Sequence, residues 1–119
     1  MTYPRDTSLK SQFAHLETKE MHQLMECMII CRACAKKCTE EGNKYLAFLC
    51  QDCSEICDLA IKLKSSHSEY CHQILDLCAQ VCRHCANECS RHTQSAHCQE
   101  CAEACRHCAE ACLAMPSYH

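Results

Sequence analysis

Cysteine dominates the chemistry available to this chain, which has 17 cysteines among its 119 residues. One spacing, Cys-x2-Cys-x3-Cys, recurs at residues 31–38, 82–89 and 105–112, and again at 50–57. Thiolates are soft ligands that select Cu(I), zinc and iron–sulfur clusters. Packing alone explains one or two buried cysteines in a domain, and leucine would stabilise each further site more. The repeated thiols therefore indicate metal binding.

The spacing of the cysteines, alternating three and four residues, is typical of an α-helix. At about 100° per residue, Cys27, Cys31, Cys34 and Cys38 fall within an arc of about 60° on one helix face. On a β-strand the same spacing would scatter the thiols onto both faces. The chain also has few helix breakers, with a single glycine, Gly42, and two prolines near its ends. The elements that position the thiols are thus predicted to be helices.

Short polar breaks separate four cysteine-bearing segments. We predict helices near residues 18–40, 44–64, 67–90 and 95–114. Loops this short make successive helices antiparallel. The predicted fold is all-α, an antiparallel up-down-up-down four-helix bundle with a Cys-lined core, and a short extra N-terminal helix is possible.

We predict that the chain consists of three parts. Residues 1–17 are predicted to form a polar N-terminal extension or a short helix. Residues 18–115 form the Cys-rich bundle, and residues 116–119 form a C-terminal tail. The start carries no apolar signal-peptide core, and no apolar run approaches the ~20 residues of a membrane span. We therefore expect a cytoplasmic protein with no membrane partner.

The compartment and the geometry both disfavour disulfides. Thiols remain reduced in the cytosol, and an odd number of cysteines cannot all pair within one chain. Residues three or four apart on a helix have Cβ atoms about 5–6 Å apart, beyond the separation of a disulfide. The net charge of −3 and the scattered basic residues give no surface for nucleic acid. The free thiols are left as ligands.

The choice of metal follows from charge. Zinc bound by four thiolates leaves two excess negative charges, and burying uncompensated charge costs several kcal/mol per ion. One Cu(I) neutralises one thiolate, and it accepts two or three sulfurs. The sequence favours multiple Cu(I) ions per chain, on the order of one per cysteine.

All the cysteines are candidate metal ligands: Cys27, Cys31, Cys34, Cys38, Cys50, Cys53, Cys57, Cys71, Cys78, Cys82, Cys85, Cys89, Cys98, Cys101, Cys105, Cys108 and Cys112. Three further residues are tentative ligands at the bundle ends. His67 precedes Cys71 by four residues and is expected to continue its stripe, at the end that receives Met115. His97 lies at the opposite end. His84 and His107 project away from the stripes and are expected to face solvent or another subunit.

The repeated motifs resemble those of the bacterial copper storage proteins. The resemblance rests on segments 101–112 (CAEACRHCAEAC), 53–60 (CSEICDLA) and 85–92 (CANECSRH) and extends over about residues 20 to 115. It implies a four-helix bundle that binds many Cu(I) ions through inward cysteines and assembles as a homotetramer. In lacking a signal peptide, the sequence resembles the cytosolic branch of that family. The sequence departs from the pattern at Glu20, Leu24 and Leu75, where relatives are expected to carry cysteine.

The leading hypothesis is a non-enzymatic, cytosolic store that buffers Cu(I) through inward thiolates. A copper chaperone is a possible donor. Two alternatives stay open: a zinc or general heavy-metal thiolate buffer, and a copper metallochaperone or thiol redox module. No catalytic serine, carboxylate pair or Gly-rich phosphate loop stands out, so no enzyme is predicted.

Overall fold

The computed structural model describes residues 17–116. It contains four helices: α1 (Lys19–Glu40), α2 (Lys44–Ser65), α3 (Cys71–Ser90) and α4 (Ala96–Ala114). Each helix packs on the next along the chain, and α1 also packs on α4, which closes the bundle. The predicted all-α four-helix bundle is confirmed. The possible extra N-terminal helix falls before residue 17, outside the described residues.

Polar side chains fix the starts of three helices. The Thr18 hydroxyl accepts a hydrogen bond from the Met21 amide at 3.2 Å. Asn43 Oδ1 and the Ser95 hydroxyl make equivalent bonds at the starts of α2 and α4. Each bond satisfies a backbone donor that has no partner within the helix. The loops thus carry the signals that separate one helix from the next.

The end of α1 is set by Gly42. Its φ of +79° lies in the left-handed region, where glycine has no Cβ to obstruct it. The Gly42 amide donates to the Thr39 carbonyl and the Asn43 amide donates to the Cys38 carbonyl. This pair of bonds is the Schellman arrangement that ends helices. It turns the chain back within three residues and makes α2 antiparallel to α1.

The start predicted for α3 is wrong by four residues, because His67 belongs to the end of α2. His67 has a φ of +52°. Its amide donates to the Lys64 carbonyl, and the Ser68 amide donates to the Leu63 carbonyl. These are the same two bonds that end α1, so α3 begins at Cys71. His67 therefore does not continue the α3 stripe, and its side chain is exposed.

Cysteine and alanine fill the interior. Every cysteine is buried, and the most exposed, Cys71, retains only 5% of its accessible surface. The two ends of the interior differ. Met21, Leu24, Leu75 and Met115 are buried at the end where α1 begins. The other end, where α1 and α3 finish, carries cysteines close to the loops.

Substitutions at the two residues with left-handed backbone, Gly42 and His67, should change stability in opposite directions. Gly42→Ala should lower the free energy of unfolding by about 1 kcal/mol, since Cβ is strained at this φ. His67→Gly should raise it, by up to about 1 kcal/mol, because it removes the same strain at the end of α2. Urea denaturation of the metal-free protein measures both. Equal effects of the same sign would contradict this account of the helix ends.

Candidate metal centre

Sulfur atoms from all four helices form a connected series of contacts along the bundle axis. Sγ–Sγ distances run from 3.4 Å, between Cys31 and Cys105, to 4.0 Å, between Cys57 and Cys82. Contacts such as Cys53–Cys82, at 3.5 Å, join different helices. Sulfurs that share one ion at about 2.3 Å lie about 3.8 Å apart in tetrahedral geometry, whereas a disulfide bond is only about 2.05 Å long. The spacing suits ions held between thiolates.

The thiols also form groups of four that overlap. Within each group the ligand atoms lie within 4.8 Å of one another. Groups that contain only cysteine include Cys27/Cys53/Cys57/Cys82, Cys27/Cys31/Cys53/Cys105, Cys31/Cys85/Cys101/Cys105 and Cys34/Cys50/Cys89/Cys101. Because neighbouring groups share members, ions that fill them must share sulfurs. Such bridging favours clusters of closely spaced ions over isolated four-ligand sites.

Burial keeps several thiols protonated. Loss of solvation is the largest cause that raises the pKa of Cys38, Cys98 and Cys71. Near Cys71 the buried Lys64 opposes this effect. Cys34 differs, because hydrogen bonds with Cys101 and then Cys50 lower its pKa to about 6. Burial thus favours the neutral thiol at the first three positions, whereas hydrogen bonds from neighbouring thiols favour the thiolate of Cys34 and also lower the pKa of Cys27, Cys53, Cys78 and Cys89.

His97 lies against the thiols at the end of the bundle that carries the loops 41–43 and 91–95, which we call the loop end. Its Nδ1 is 3.3 Å from Cys34 Sγ and 3.7 Å from Cys98 Sγ. On the other side of the ring, Nε2 is 2.9 Å from Glu41 Oε1. Burial lowers the pKa of His97, but hydrogen bonds and charge interactions with Cys34 and Glu41 together raise it by more. The structure therefore brings together a histidine that the sequence proposed and a carboxylate that it did not.

The other predicted end residues lie elsewhere. Met115 is buried at the opposite end of the bundle, and His67 is exposed in the loop after α2. His84 and His107 are exposed, as their angular position on the helices predicts. The Nε2 atom of His84 lies 3.1 Å from the Tyr45 hydroxyl, on the outer surface.

The sequence profile described as Csp, copper storage protein, matches residues 14–117. The chain belongs to the copper storage protein family. A similar structure, that of the Cu(I)-bound copper storage protein BsCsp3, has a TM-score of 0.76 and 36% identity and covers 81% of this chain and 93% of its own. A structure of apo-Csp3 from Bacillus subtilis has a TM-score of 0.73 and 38% identity, covering 78% and 91% respectively.

A third relative is known by sequence. The uncharacterized cysteine-rich protein YhjQ of Bacillus subtilis (strain 168) is 39% identical over 79 residues, which are 63% of this chain and 72% of that protein. Each helix in the described part of this copper storage protein is too short or too polar to cross a membrane.

The contacts of Cys82 and Cys105 predict a loss of metal capacity on substitution. The Cys82→Ala/Cys105→Ala protein should bind about two fewer Cu(I) ions, because each removed thiolate is a bridge between neighbours. Loss of each buried sulfur should also cost about 1 kcal/mol of apo stability, as for other small core deletions. Anaerobic Cu(I) titration and urea denaturation measure the two effects.

Leu75→Val is the matched control, since it removes a buried group of similar size without touching a thiol. It should lower stability by about 1 kcal/mol and leave the capacity unchanged. Full capacity in the double cysteine variant would show that these two thiols serve only as packing.

Proposed function

We propose that this chain stores Cu(I) along the axis of its bundle, with all its cysteines as ligands. The observation that carries the proposal is the series of overlapping thiol groups, whose members all lie in the interior. Membership of the copper storage family and the similarity to a Cu(I)-bound relative support it. The role is storage rather than catalysis, since the thiols are spread along the whole bundle rather than gathered at one reaction centre.

Charge favours Cu(I) over zinc in this interior. A zinc ion in an isolated four-thiol group would bury two excess negative charges, and the sharing of thiolates between neighbouring groups lowers this excess without removing it. The buried lysine, Lys64, lies at one end, with Nζ 3.4 Å from the Pro116 carbonyl oxygen. It can compensate little of the charge further along the axis, because charge interactions weaken with distance. One Cu(I) per thiolate leaves the interior neutral at every stage of loading.

The cytoplasm, a homotetramer and a copper chaperone donor are parts of the same proposal. Every cysteine of the chain is free, which suits a reducing compartment. Large apolar side chains on the outside of the bundle, such as Phe48 at 69% exposure and Ile29 at 62%, support contacts between copies. Size-exclusion chromatography with light scattering measures the assembly in solution.

Anaerobic titration of the reduced protein tests the storage function. Cu(I) should reach well above ten ions per chain, on the order of one per thiol, without sulfur-linked dimers. Copper should also displace zinc from the same protein. Saturation at about four divalent ions, with Cu(I) bound no better than zinc, would identify a zinc buffer instead. One or two thiols far more reactive than the rest would indicate a redox module or chaperone.

Loading should release protons. Burial raises the pKa of Cys38 and Cys98, so these thiols are S–H at neutral pH and must lose a proton to bind metal. Each Cu(I) should displace about one proton, and the affinity for Cu(I) should rise with pH. A pH-indicator dye in weakly buffered solution measures the release. Loading without proton release would mean that the interior thiols are already ionised.

A further inference from the structure

The loop end of the bundle holds a metal-ligand group unlike the all-thiol groups of the interior. It consists of Cys34, Cys38, Cys98 and His97, whose ligand atoms lie within 4.8 Å of one another. Three thiols and one imidazole are a donor set typical of structural zinc sites. This group therefore differs from its neighbours in the ions that it suits.

Three of the distances between the ligand atoms match those around a tetrahedral ion, and the remaining pairs lie within 4.8 Å. Cys34 Sγ and Cys38 Sγ are 3.9 Å apart. His97 Nδ1 lies 3.3 Å from Cys34 Sγ and 3.7 Å from Cys98 Sγ. Around a zinc ion with Zn–S of about 2.3 Å and Zn–N of about 2.0 Å, sulfurs lie about 3.8 Å apart and nitrogen lies about 3.5 Å from sulfur. Small side-chain adjustments suffice to place an ion between them.

Glu41 fixes the histidine for this task. Its Oε1 accepts a hydrogen bond from His97 Nε2 at 2.9 Å, which places the ring proton on Nε2 and leaves the Nδ1 lone pair towards the thiols. A carboxylate behind a ligating histidine is the arrangement found at many zinc sites, where it orients the ring and raises its basicity. Glu41 is thus a positioning residue, since it acts on the ion through His97.

The electrostatics at this end also differ from those of the interior. Three thiolates and a neutral imidazole leave one excess negative charge around a divalent ion, against two in an all-thiol group. A groove whose polar lining is Cys34, Lys36, Lys37, Glu40, His97 and Glu100 opens Cys34 and His97 to solvent. Water in this groove reduces the cost of the remaining charge, which the closed interior cannot do, while the two lysines and the two glutamates of the lining balance one another.

We propose that Cys34, Cys38, Cys98 and His97, held by Glu41, bind one zinc ion in the copper-free protein. Zinc binding here does not depend on copper storage, since it needs only these residues. Cys34 also belongs to the neighbouring group with Cys50, Cys89 and Cys101. Copper that fills that group competes for the shared thiolate, so the zinc site is a property of the copper-free or partly loaded chain.

The test is anaerobic titration of the reduced, copper-free full chain with Zn(II) against a chromophoric chelator. One tight equivalent is expected. Co(II) in its place should give the intense visible absorption of a tetrahedral ion with three sulfur ligands and one nitrogen. Glu41→Gln should weaken zinc binding by about 10- to 100-fold, as loss of the partner of a ligating histidine does elsewhere. His97→Ala should weaken it further and change the Co(II) spectrum.

His107→Ala is the matched control, because His107 is an exposed histidine on the same helix. It should leave both the zinc affinity and the Co(II) spectrum unchanged. Circular dichroism of each variant separates a loss of ligand from a loss of helix. Zinc binding that survives His97→Ala with an unaltered spectrum, several tight zinc equivalents, or none at all would each overturn the proposal.

Cu(I) capacity of the unsubstituted chain, measured in parallel, keeps the two proposals apart. A capacity below ten ions with one tight zinc equivalent would reject copper storage and retain the zinc site. A high Cu(I) capacity with no tight zinc would do the reverse.

Discussion

Charge in a closed interior is the constraint on which the rest of this structure depends. Sulfur atoms occupy the axis where leucine would lie in an ordinary bundle, and every one of them is buried. As thiols they are neutral and pack as small apolar groups. As uncompensated thiolates they would cost several kcal/mol each. The interior is therefore stable in two conditions, protonated or filled with monovalent cations, and the exchange between them is the chemistry of the molecule.

Alanine makes this interior possible. Ala79, Ala86, Ala102 and Ala109 are buried beside the cysteine stripes of α3 and α4. Small side chains at these positions let the helices approach closely enough for sulfurs on different helices to lie within 4.0 Å of one another. Larger residues there would separate the stripes, and each thiol would then have neighbouring thiols from its own helix only. The cysteine repeat thus needs the alanines between its members to act as a single site.

The sequence predicted what depends on local spacing. The 3- and 4-residue intervals between cysteines specify both the helices and the face that each buries, and short loops determine their antiparallel order. The predicted start of α3 is too early because the residues after Ser65 first close α2, where the Ser68 amide donates to the Leu63 carbonyl. A histidine in the left-handed conformation gives no sequence signal comparable to the glycine that ends α1.

Glu41 was missed for a different reason. It meets His97 across 56 positions of sequence, and no periodicity relates the residue that caps the end of α1 to a residue in the first turn of α4. The bundle topology offers the only available signal, since the loop after α1 and the loop before α4 lie at the same end.

Position within the fold also explains why a histidine and a carboxylate lie at that end of the bundle. An imidazole and a carboxylate would leave unpaired polar atoms in the closed thiol interior, but at the loops both remain in contact with water. Exposure to water at the loops permits polar ligands, and it also lowers the cost of binding an ion of higher charge. The ligands therefore change from a mixture of thiols and imidazole near solvent to thiols alone in the interior.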